Sequence, residues 1–133
     1  MLWGLLGASG MFYAPAKPYV PLYVGGGIYL PTTTTTKVKI AYFRADLDAL
    51  FPRGFIVEVY QLGTGTATGS WTLRNQTKST DVVAVKSVDQ SETVVTSPTV
   101  YRTGTGLCDY VLLYGLDAGT GEARTFTVVL REP

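Results

Sequence analysis

Asp46 and Asp48 are the most closely spaced pair of acids in the chain. Two carboxylates two residues apart can share a calcium ion, or divide the work of general acid and base. No further acidic residue follows nearby to complete a cation site, so the simpler expectation is that they are solvated or cap a helix. Histidine is absent, which removes the commonest general base and metal ligand and excludes a hydrolytic triad of the Ser-His-Asp kind. Cys108 is the single cysteine. No internal disulfide can form, and a buried small hydrophobe is expected there in preference to an intermolecular link. The glycine-rich stretches Gly63-x-Gly65-x-x-x-Gly69 and Gly104-x-Gly106 lack the run into a helix that a phosphate-binding loop requires, and they read as surface turns. Asn75-Gln76-Thr77 matches the glycosylation acceptor pattern, which matters only in a secreted protein. These groups do not combine into roles for a reaction, so neither an enzyme nor a cofactor is expected.

The elements that must carry these groups divide into two parts. Residues 1–36 hold six aromatics and four prolines but one charge, Lys17. Trp3, Phe12, Tyr13, Tyr19, Tyr23 and Tyr29 are too many to leave in water, since each forgoes on the order of 2 kcal/mol of burial when exposed. Pro15, Pro18, Pro21 and Pro31 forbid a long helix and interrupt an interior strand. The expectation is an extended apolar arm, with Trp3, Leu5, Phe12, Tyr13, Tyr19, Tyr23 and Tyr29 as its interface residues, docked on a neighbouring copy. The competing expectation is that Tyr19, Tyr23 and Tyr29 form an added strand of the same domain. The Pro15-x-x-Pro18-x-x-Pro21 spacing favours polyproline II, a shape suited to lying along a groove. The first ten residues are apolar like the core of a signal peptide but lack a preceding Lys or Arg, and the glycines and prolines keep the stretch below the length of a membrane span.

Residues 37–133 read as one domain. Lys37–Arg44 alternates with the period of a half-buried strand, with Val38, Ile40 and Tyr42 on one face. A single helical turn, Leu47–Phe51, ends at Pro52. Strands follow at 55–62, 70–74, 81–88 and 92–96, the last pair joined by a hairpin-length connection, with Pro98 marking an edge or bulge. Residues 110–114 and 126–130 alternate around the turn at 117–121 and read as a closing hairpin. About seven strands imply an all-β fold, an antiparallel β-sandwich of immunoglobulin-like type, with a jelly roll as the alternative. The 19 threonines fit a strand-rich chain. A net charge of +1, without basic clusters, disfavours direct nucleic-acid binding.

The stretch from Tyr110 to Leu130 resembles the closing strands of fibronectin type III modules, and Trp71 falls on the third strand, where immunoglobulin-like sandwiches keep a core tryptophan, although no cysteine pair brackets it. The apolar arm ending in Thr32–Thr36, the low charge and the Thr- and Gly-rich strands resemble small β-sandwich structural proteins of phage particles. That resemblance implies a structural component of a virion, either capsid decoration, minor capsid or tail, partnered by copies of itself and other structural proteins. The alternative expectation is an extracellular or cell-surface binding module, or a pilus-like subunit, in which loops 63–69 and 103–108 recognise a glycan or protein.

Overall fold

The computed structural model describes residues 17–25, 30–86 and 93–133. Nine strands and one helical turn occur among them: β1 (Tyr19–Val24), β2 (Leu30–Thr32), β3 (Val38–Asp46), α1 (Leu47–Leu50), β4 (Ile56–Gly63), β5 (Thr68–Asn75), β6 (Thr80–Lys86), β7 (Thr93–Thr96), β8 (Leu107–Ala118) and β9 (Ala123–Arg131). They form two antiparallel sheets, one in the order β1-β9-β4-β7 with β2 also on β9, the other in the order β3-β8-β5-β6. With β1 and β2 taken as one interrupted strand, this is the order of a jelly roll. The all-β sandwich expected from the sequence is therefore present, in its jelly-roll rather than immunoglobulin-like form.

Two expected hairpins are not hairpins. β8 pairs with β3 and β5, while β9 pairs with β1, β2 and β4. β6 pairs with β5, whereas β7 lies in the opposite sheet on β4. In both cases the short connection carries the chain from one sheet to the other. β7 is an edge strand that ends before Pro98, as the proline required, and the Ser97 hydroxyl accepts from the Val57 amide at 2.9 Å where the ladder stops.

Part of the stretch 1–36 expected to be an arm pairs within its own domain. Tyr19 to Val24 pair with Arg131 to Thr127, and Leu30 to Thr32 pair with Thr125 to Ala123 of the same chain. Val20, Leu22, Tyr23 and Leu30 pack against the core, so this stretch is held by its own domain. Tyr19 points outward and is exposed. Trp3, Leu5, Phe12, Tyr13 and Tyr29 lie outside the described residues.

Inward-facing positions of both sheets build the core, and Trp71 is its centre. Its ring stacks on Tyr114 at 4.1 Å between centroids, and its Nε1–H donates to Thr125 Oγ1 at 2.9 Å, tying β5 to β9 across the sandwich. A buried indole N–H needs such a partner. Burial pushes the Tyr114 phenol up to about 12. Cys108 is buried, as expected for a small hydrophobe, with Sγ 3.4 Å from the Thr105 carbonyl.

Candidate functional site

Three connections meet at one end of the sandwich: α1 after β3, the turn between β5 and β6, and the long segment 97–106 between β7 and β8. Asp46 is the N-cap of α1, its carboxylate accepting from the Ala49 amide at 3.2 Å, which is the capping alternative of the two expected for the pair. Asp48 does something the sequence did not suggest. Its carboxylate reaches across 55 residues of sequence and accepts from the Thr103 amide at 2.7 Å, the Gly104 amide at 2.6 Å and the Thr103 hydroxyl at 3.2 Å. The backbone hydrogen bond from Thr103 is the main reason its pKa lies below the usual carboxylate value, with the Gly104 amide, the Thr103 hydroxyl and the Arg102 charge adding to it. A carboxylate saturated in this way is an anchor for a loop and a poor proton acceptor at neutral pH.

The base of the same loop is fastened by backbone. Phe55 and Val100 exchange hydrogen bonds at 3.0 and 2.8 Å. Gly54 makes this approach possible: at φ +92° it adopts a conformation that suits glycine, and a Cβ there would lie 2.8 Å from the Val100 carbonyl oxygen. On the other flank, Asn75 Oδ1 accepts from the Lys78 amide at 2.9 Å, and Thr77 Oγ1 accepts from the Asp109 amide at 2.8 Å. Asn75 is only 2% exposed, so the acceptor pattern read at 75–77 sits where a glycan has no room.

Between these fastenings Tyr101 is left 73% exposed, the highest value among the large hydrophobic side chains described. Arg102 beside it is also exposed. Arg102 borders two depressions, and Tyr101 borders the second of them. One, of about 470 Å³, is bounded by Asp46, Asp48, Pro52, Arg102 and Gly104. The other, of about 400 Å³, is bounded by Asn75, Thr80, Tyr101, Arg102 and Thr105. The result is an aromatic face on a fixed loop, flanked by a guanidinium, carboxylates and hydroxyls. Among the described residues no group of three or more Asp, Glu or Cys side chains gathers to hold a metal ion.

The two loops expected to act together stand at opposite ends. Phe55, just before β4, bridges to Val100, whereas 63–69 leaves the far end of that eight-residue strand, roughly 25 Å away. There Thr64 and Thr66 lace the loop to 119–122: each threonine amide donates to a carbonyl of the partner segment, and each hydroxyl accepts an amide from it at 2.9 Å.

An antiparallel jelly-roll sandwich with a fixed aromatic loop at one end is the class that this geometry defines. No family model matches the chain, and no curated protein matches it. Among solved structures it is similar to one described as carbohydrate-binding module CBM36 in complex with calcium and xylotriose, at 15% identity and a TM-score of 0.49, over 84% of this chain and 96% of that one. At that level of similarity, function must be argued from the site itself.

Proposed function

We propose that the chain is a non-catalytic binding module that takes a carbohydrate chain against the 97–106 loop. The observation that carries this reading is Tyr101, a ring 73% exposed on a loop that Asp48 and the Phe55–Val100 backbone pair hold in place. The C–H face of a sugar ring stacks on an aromatic side chain, and its hydroxyls need polar groups such as Asn75, Thr80, Arg102 and Thr105, which line the depression beside Tyr101. A loop fixed before binding loses little entropy on contact, which favours a useful affinity from a small surface.

The test is calorimetric titration with a panel of soluble neutral and acidic oligosaccharides. Tyr101→Ala should weaken binding by roughly ten- to a hundredfold while leaving the melting temperature unchanged. If no oligosaccharide binds, or if Tyr101→Ala binds like the parent, the reading is wrong and a protein ligand takes its place.

A second reading is a structural subunit of a multi-copy assembly such as a virion, joined through its N-terminal residues. It is favoured by the uncharged segment 1–16, which enters the fold at the edge strand β1. Jelly rolls serve both as capsid and as lectin domains, so the fold supports either reading equally. Among the described residues no helix is long and apolar enough to cross a membrane.

A further inference from the structure

β1 and β3 are edge strands of opposite sheets and lie side by side along one open flank of the sandwich. Between them runs an apolar groove of about 380 Å³, walled by Val20 and Leu22 of β1, Phe43 and Ala45 of β3, and Leu50 of α1, with Leu130 contributing from the neighbouring strand β9. Among the described residues β3 pairs only with β8, so along its nine residues the backbone groups of the other side are available to an added strand. An extended segment lying there would gain both backbone hydrogen bonds and apolar pockets.

We propose that this groove receives residues 1–16 of a second copy of the chain. The proposal rests on the assembly reading above and supplies the receptor that reading lacks. The segment has no charged residue and carries Trp3, Leu5, Phe12 and Tyr13, so its composition suits the groove better than it suits water. The residues that follow it lie near the groove: Lys17 and Pro18 line one depression together with Leu50 and Pro52, and Leu50 is also a wall of the groove itself. Pro15-x-x-Pro18-x-x-Pro21 disfavours a tight reversal onto the chain's own β1 and favours an extended exit. Sixteen extended residues reach roughly 50 Å, enough to cross to a neighbour. Reciprocal exchange makes a dimer, and successive exchange makes a ring or a filament.

The experiment uses the full chain. Copies carrying Ser9→Cys are mixed with copies carrying Arg44→Cys, at the rim of the groove, and oxidised mildly; Cys108 is buried and stays out of the reaction. Arg44 is an exposed side chain paired with Asp109, so its loss costs the fold little. The expected result is a disulfide between unlike copies, together with a multi-chain mass by light scattering. Adding Leu50→Glu to the Arg44→Cys copy places a carboxylate in the apolar wall and should lower the linked fraction by roughly tenfold. Leu50 is already 38% exposed, and an unchanged melting curve confirms that the variant folds. A multi-chain mass without the link overturns the groove and leaves the assembly reading standing. A one-chain mass overturns both. A chain carrying both cysteines that closes within one copy overturns the second copy as occupant, because its own segment then fills the groove.

Discussion

Single side chains at the loop end show how position alters the meaning of a residue type. Asp46 and Asp48 are two residues apart, yet one caps a helix turn and the other holds a distant loop. Only the first role has a local signal, the acid just before Leu47–Leu50, whereas the second depends on Thr103 and Gly104 arriving from the far side of the domain. Asp48 has a depressed pKa in the folded protein, so the stability it contributes is complete above the ordinary value of 3.8 and is lost as pH falls through the folded value. Asp48→Asn should flatten the acid limb of a stability-against-pH curve below about pH 4, speed amide exchange at Thr103 and Gly104, and weaken ligand binding at neutral pH. An unchanged acid limb would mean that Asp48 is not the anchor. Trp71 offers a second test at this scale. Thr125→Val keeps the shape of the side chain but strands the indole N–H in the core, which should cost about 1–3 kcal/mol in denaturant unfolding.

At the scale of elements, most strands follow the alternation of the sequence closely. β3, β4, β5 and β9 begin within a few residues of the apolar-polar pattern that marks them, and Trp71 faces the core, as the resemblance to immunoglobulin-like sandwiches implies. The connections are where reading the sequence failed. The turn at 117–121 looks like a hairpin turn, yet it passes the chain from one sheet to the other, interlocked with 63–69 through Thr64 and Thr66. Gly119 is central to that contact: its φ is +86°, and a Cβ there would collide with the Thr66 carbonyl. Gly119→Ala should therefore destabilise the domain by about 1–3 kcal/mol, read as a melting temperature lower by roughly 5–10 °C. A melt identical to the parent would indicate that the two loops are not locked together.

For the whole molecule, the two ends and the open flank of the sandwich carry different work. The 97–106 end offers a fixed aromatic loop, the 63–69 end is laced shut by threonines, and the flank between β1 and β3 is apolar. If copies exchange their first sixteen residues, the melting temperature of the full chain should rise with protein concentration by mass action. Because residues 1–16 carry no charge, the mass distribution should change little as salt is raised to about 1 M. A melting temperature independent of concentration speaks for a self-sufficient monomer. The sequence alone determined an all-β sandwich and the location of most strands, because alternation is local and records which side of each residue faces the core; the apolar character of a free cysteine placed Cys108 inside, and the core position of Trp71 came from a resemblance to immunoglobulin-like sandwiches. The tertiary structure alone decided the jelly-roll order, the folding of Tyr19–Val24 and Leu30–Thr32 onto β9, and the meeting of Asp48 with Thr103. Period-two alternation tells a strand which face to bury and says nothing about its neighbour, and a turn that closes a hairpin has the same composition as one that crosses between sheets.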